Sequence, residues 1–172
     1  MGPQTDIESA FREFSFVASQ FCALVDSAPS LDRVEFLSRI YDVLPQLIHR
    51  GIVLPAVSPS DVDDRKEIKR TRMKQEEWGQ LYESLKEKLG DWNLYWLVFD
   101  PAKDSEAIHG SLADDIADIY RDSKEGLGLQ DPDLALQRDV VWGWRFGYYS
   151  HRGRHAINAL YTAHALLEST LS

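Results

Sequence analysis

The sequence predicts an all-α, single-domain bundle of five or six helices with a long C-terminal helix at its centre. Three observations carry that expectation. Apolar residues recur at steps of three and four through most of the chain, the mark of amphipathic helices. Capping residues, prolines and glycines divide that pattern into segments of helical length. At 172 residues, 44% of them hydrophobic, the chain is large and apolar enough to bury one core without metal or disulfide staples.

The first segment opens on Thr5-Asp6-Ile7-Glu8, a capping box in which the Thr5 hydroxyl and the Glu8 carboxylate satisfy free amides at a helix start. Phe11, Phe14, Val17, Phe21 and Leu24 then line one face of a helix ending near Pro29. Ser30 can cap a second helix, with Val34, Leu37, Tyr41, Leu44 and Ile48 as its core face and Gly51 as its stop. Pro45 falls inside that pattern, where a proline should kink the helix or end it early. Residues 51–74 change character: Pro55, Pro59 and the surrounding serines lead into a stretch dense in both charges. This predicts a charged connecting segment, a solvated linker more than a basic patch, because Arg65–Lys74 lacks aromatics and is interrupted by Glu67.

A third helix is predicted over 75–89, with Trp78, Leu81, Tyr82, Leu85 and Leu89 inward and Gly90 at its end. Asp91–Pro101, rich in aromatics, fits either a short strand or a buried helical turn, and in both cases belongs to the core. Ser111 caps a helix over about 112–126, with Asp114 and Asp115 in the first turn, where acids suit the helix dipole. Asp131-Pro132 opens the last element, acid as cap and proline at the first helical position. Its periodicity continues to about Leu167, as one helix or two broken near Gly153.

On a helical wheel, that last element has two differently built faces. Trp142, Phe146, Tyr149, Gly153, Ala156, Leu160, Ala163 and Leu167 form an apolar packing stripe. Trp144, Tyr148, His151, His155, Asn158 and Thr162 gather on the other side within about 80°. Imidazoles, an amide and a hydroxyl tolerate burial only when hydrogen-bonded, so this face is expected to pack against a polar partner. The 112–126 helix offers one. Asp115, Asp118 and Asp122 lie along a margin of its Leu112, Ile116 and Ile119 stripe, within about 60° of one another. Three carboxylates there repel unless compensated by Arg145, Arg154, protonated His151 or His155, or a bound metal. The charge is distributed to match: residues 100–139 hold eleven acids and four bases, net -7, whereas residues 140–172 hold three arginines and one glutamate, net +2.

Ser111–Leu127 and Trp144–Leu160, with Tyr95–Pro101 beside them, resemble the bacterial DUF5063 family. The likeness covers about half the chain and is specific in His151-Arg152-Gly153-Arg154-His155, although Arg152 stands where the family usually has tryptophan. It implies a bacterial, helical protein and brings no activity with it.

Motif chemistry is sparse. His151 and His155 stand four apart. The favoured expectation for them is a buried histidine–aspartate–arginine network that fixes helix register; the sharper alternative is a single metal ion, which that spacing lets one helix hold. The glutamate that follows the first histidine in zinc proteases is absent, however, and Glu106-Ala-Ile-His109 lacks the partner that a di-iron bundle requires. Asp115-Ile-Ala-Asp118 is one acidic pair of the kind helical nucleotide pyrophosphatases use on two helices, without a second. No glycine-flanked serine and no phosphate-binding glycine loop occur.

The favoured expectation is therefore an intracellular helical binding or interaction protein without catalytic activity and without a cofactor. It would engage a protein partner or a small ligand through 51–74 or through the Trp144–Thr162 face. The ligand-binding candidates are Asp115, Asp118, Asp122, Trp144, Arg145, Tyr148, His151, Arg154, His155 and Asn158. The competing expectation is a metal- or ligand-dependent enzyme on the same cluster, with Asp118, Asp122, His151 and His155 as ligands. Net charge of -9 argues against nucleic acid, no apolar run is long enough for a membrane, and the lone Cys22 suits a reducing cytoplasm.

Overall fold

The computed structural model describes residues 3–60 and 65–170. Among the described residues, seven α-helices and one small hairpin follow in the order α1 (Pro3–Asp26), α2 (Arg33–Ile52), α3 (Arg65–Arg70), α4 (Gln75–Leu89), β1 (Leu94–Val98), β2 (Ala107–Ser111), α5 (Leu112–Lys124), α6 (Leu134–Gly147) and α7 (Gly153–Thr170). α1 packs on α2, α5 and α6; α7 packs on α2 and α5; and α4 covers another side of α5. Phe14, Phe21, Phe36, Ile40, Ile116 and Ile119 are fully buried where these helices meet. α5 is consequently enclosed, and its Asp115 and Asp118 are buried along with Leu112, Ile116 and Ile119. Among the described residues no helix is long and apolar enough to cross a membrane.

Several expected details are corrected. α1 begins at Pro3, ahead of the expected Thr5 cap, and the Thr5 side chain lies outside the described residues. Asp32 rather than Ser30 caps α2, accepting from the Glu35 amide at 2.8 Å. The buried face of α2 is Phe36, Leu37, Ile40, Val43, Leu44 and Leu47, so Val34 points outward. Pro45 does not end the helix early. Leu44 and Leu47 on either side are packed in the core, and α2 continues to Ile52. The predicted linker is shorter than 51–74, since α2 reaches into it and α3 occupies Arg65–Arg70; residues 61–64 lie outside the described part.

The aromatic segment before residue 101 is a strand, and its outer face is not core. Leu94, Trp96, Val98 and Phe99 are exposed. β1 pairs antiparallel with β2, which the sequence did not announce because Ala107–Ser111 carries few strand-forming residues. Asn93 fixes this hairpin to the start of α5. Its buried amide oxygen accepts from Ser111 Oγ at 3.1 Å and from the Ala113 amide at 2.9 Å.

α5 begins as expected, with Ser111 Oγ accepting from the Asp114 amide at 3.3 Å. α6 starts two residues later than Asp131-Pro132 suggests, on Asp133, which accepts from the Leu136 amide at 2.8 Å. Between α6 and α7 the helix is neither straight nor broken. Tyr148–Arg152 forms a π-turn, in which one residue is added to the helical ladder. That extra residue rotates everything after it by about 100°. The predicted apolar stripe is split as a result: Gly153, Ala156 and Ala163 are buried, whereas Phe146 and Tyr149 face outward.

Candidate metal centre

α5 and the stretch from the π-turn into α7 bring together two histidines and three aspartates. His155 sets its Nδ1 2.6 Å from Asp115 Oδ1, and His151 sets its Nδ1 3.4 Å from Asp122 Oδ2. Each imidazole thus has a carboxylate behind it, and its Nε2 faces away from that carboxylate. The two Nε2 atoms meet at 3.2 Å. Asp118 Oδ2 lies 3.3 Å from His151 Nε2 and 3.6 Å from His155 Nε2.

The surrounding hydrogen bonds leave these three atoms pointing inward. Asp118 Oδ1 accepts from Trp78 Nε1 at 2.8 Å and from Arg121 Nη2 at 2.7 Å, so the other oxygen is the one presented to the histidines. Asp115 Oδ2 accepts from the Tyr95 hydroxyl at 2.5 Å. Tyr95 reaches Asp115 because it crosses β2 at Gly110, where a Cβ would stand 2.5 Å from the tyrosine ring. Burial and the adjacent Asp115 push the Tyr95 hydroxyl well above its usual range and keep it a donor. Burial also raises the Asp115 carboxyl against the opposing hydrogen bonds from His155 and Tyr95. For His155 burial works against the charged form, but the hydrogen bond and charge of Asp115 outweigh it and raise the imidazole.

A histidine that donates Nδ1–H to a carboxylate carries its lone pair on Nε2. Two such lone pairs and a carboxylate oxygen converge here. The arrangement calls for positive charge among them, supplied by a proton or by a metal ion. A tetrahedral zinc ion with bonds near 2.0–2.1 Å sets its ligand atoms about 3.3–3.4 Å apart, and the three separations given above straddle that spacing.

Of the ten expected site residues, the structure gathers Asp115, Asp118, Asp122, His151 and His155, with Asn158 lining the same cleft and Arg154 at the margin, its guanidinium over the Phe99 ring. Asp122 stands behind His151 rather than beside the converging atoms. Three expected residues lie elsewhere. Trp144 is buried against Phe11 and Phe14 and donates to the Glu125 carbonyl at 2.7 Å. Tyr148 is packed onto Gly51 and Gly153, and Arg145 donates to the Leu54 carbonyl at 2.6 Å. Glu106 and His109 are exposed on or beside β2, where His109 packs on Trp96. Trp78, Tyr95 and Arg121 complete the centre but were not among the expected residues. In the sequence both aromatics read as core packing, although each carries a polar tip that has to find a partner.

The histidines line a cleft of about 510 Å³ between the hairpin and α7, walled on one side by Leu97, Phe99 and Ile108 and on the other by Ser150, Arg154 and Asn158. His151 is exposed to it while Asp115 and Asp118 are not, so an ion or ligand has a route to the converging atoms.

A family model described as "Domain of unknown function (DUF5063)" matches residues 5–169. Among solved structures, a crystal structure of protein BF1032 from Bacteroides fragilis, a structural-genomics target, is similar with a TM-score of 0.72 and 23% identity. The match covers 90% of this chain and 89% of that one, and it is a likeness of fold. No curated protein matches.

Proposed function

We propose that this chain, which belongs to the DUF5063 family, binds one divalent transition-metal ion through Asp118 Oδ2, His151 Nε2 and His155 Nε2. The observation that carries the proposal is the triangle of 3.2, 3.3 and 3.6 Å between those atoms, with a carboxylate behind each imidazole. Carboxylates in that outer position fix the ring tautomer and raise the basicity of the ligand nitrogen. A second grouping, Asp114, Asp115 and His155, is also within ligating distance. It competes poorly, because His155 Nδ1 and both Asp115 oxygens already have partners.

Two imidazoles and one carboxylate suit zinc or ferrous iron. Three protein ligands leave a position open, and a metal with an open position activates water or polarises a carbonyl or phosphoryl oxygen. The cleft beside His151 and His155 is where a substrate would meet it. The alternative, a binding protein without catalytic chemistry that uses the Trp144–Thr162 face, has less support, since Trp144, Tyr148 and Thr162 are buried and present nothing to a partner.

Protein purified without chelator or immobilised metal should carry close to one equivalent of zinc or iron by elemental analysis. Asp118→Ala should carry background levels while keeping its far-UV spectrum. Wild-type protein that holds neither metal, and whose melting temperature neither raises, would overturn the proposal. Asp115→Asn removes no ligand but weakens the acceptor behind His155. It should reduce metal affinity about 10–100-fold, measured by competition against a chromogenic chelator.

A further inference from the structure

Among the described residues that line the metal cleft, Arg154 is the one arginine or lysine. It is exposed, and the central carbon of its guanidinium lies 4.2 Å from the centre of the Phe99 ring, just past the end of β1. A ring face attracts a cation without occupying its N–H donors, as a carboxylate does. Among the described residues no carboxylate forms an ion pair with Arg154, and none of its side-chain donors is hydrogen-bonded.

The other charged groups around the cleft are engaged elsewhere. Asp100, the residue after Phe99, pairs with Lys103 at 3.0 Å and accepts from the Ala102 amide at 3.0 Å. Asp115 is held by His155 and by the Tyr95 hydroxyl. Asp114 stands on α5, with a carboxylate oxygen within 4.8 Å of a His155 nitrogen and of an Asp115 oxygen. His109 packs on Trp96. The cleft is therefore polarised. Its acids gather on α5 around the converging histidines, its guanidinium stands at the margin on α7, and Leu97 and Ile108 on the hairpin wall carry no charge.

This distribution sorts the two ends of a ligand. A negative group on the metal faces Asp114, Asp115 and Asp118 at close range, and like charges in a partly buried site repel strongly. An uncharged carbonyl oxygen avoids that repulsion and is still polarised by the ion. The negative group belongs at Arg154, whose guanidinium can pair with a carboxylate through two parallel hydrogen bonds. One guanidinium balances one charge, which favours a carboxylate over a phosphate ester, close to dianionic at neutral pH.

We propose that the cleft takes a small organic acid whose carboxylate pairs with Arg154 and whose ester or amide carbonyl, at the other end, lies on the metal. Its apolar body lies along Leu97 and Ile108. The inference deepens the reading of the metal centre and rests on it.

Wild-type protein loaded with zinc would be titrated calorimetrically with monohydroxamates of the straight-chain dicarboxylic acids from succinic to suberic, each beside its methyl ester. The hydroxamate occupies the open position of the metal in both members of a pair, so their difference reads the carboxylate alone, and the series varies the span between the two groups. For at least one chain length the acid should bind about fivefold or more tighter than its ester, with the advantage shrinking as salt is raised. Arg154→Met should abolish that preference, and Arg154→Lys, which keeps the charge without the paired donors, should retain part of it. Phe99→Ala, which removes the ring under the guanidinium, should weaken it. Zinc-loaded protein that binds the hydroxamates without preferring any acid, or a preference that persists in Arg154→Met, would overturn this inference and leave the metal centre standing. Protein that takes up no zinc would overturn both.

Discussion

A His155→Ala variant is expected to bind no measurable zinc or iron and to melt at a lower temperature even when no metal is present. The two effects have separate origins. Metal binding fails because Nε2 of His155 is one of three ligand atoms, and two remaining ligands cannot hold the ion against solvent. Stability falls because Asp115, 3% exposed, loses its donor at 2.6 Å and retains only Tyr95. Leaving a buried acceptor short of a partner costs about 1–3 kcal/mol. For a domain of this size each kcal/mol lowers the midpoint by about 2–4 °C. Thermal melts in EDTA isolate the second effect, and metal titration of the refolded variant isolates the first. An unchanged melt in EDTA would mean that Asp115 does not depend on the imidazole. Retained one-to-one metal binding would mean that the ion sits elsewhere.

Trp144→Ala should have the larger effect on stability and no direct effect on the metal. The indole is 2% exposed, stacks on Phe11 at 5.5 Å and on Phe14 at 4.5 Å between ring centres, and donates to the Glu125 carbonyl. Truncating a fully buried aromatic side chain costs about 3–5 kcal/mol, to be read from urea denaturation at constant slope. The folded fraction of the variant should still take up one metal ion. Loss of stability by less than about 1 kcal/mol would contradict the packing described for α1 against α6. Trp144→Phe, which keeps the stacking and gives up the hydrogen bond, should fall between the two.

The sequence and the structure agree where local chemistry alone decides. The Ser111 cap, the span of α4 and the acidic margin of α5 depend on residues within a turn of one another, and all three appear as expected. The pairing of His151 and His155 with the aspartates was also legible, because a polar face on one helix and an acidic margin on another leave few other partners. Contributions from distant segments were not legible. Tyr95 reaches Asp115 only because Gly110 lets it cross the hairpin, and Trp78 reaches Asp118 from α4. Neither contact has a signature in its own neighbourhood. Arg152 stands out in the sequence only as a departure from the family pattern, and nothing nearby in the sequence indicates that its guanidinium is buried.

The helical wheel failed for a definite reason. It assumes an unbroken step of 100° per residue, and the π-turn at Tyr148–Arg152 violates that assumption. Residues 142–149 and 153–167 each keep their own regular face, but the two faces are offset, so Trp142, Phe146 and Tyr149 do not continue the buried stripe of α7.

That turn also bears on how such a centre can arise or be lost. An extra residue in the ladder is what a one-residue insertion into an ordinary helix produces. Here it lies between the anchor of α6 on α1 and the anchor of α7 on α2. Both ends are held by packing, so the gain or loss of a single codon in this stretch has little room to be absorbed except by rotating the short span that bears His151. A length change too small to alter the fold could thus assemble or dismantle the cluster in one step, while neighbouring substitutions act on it only by degrees.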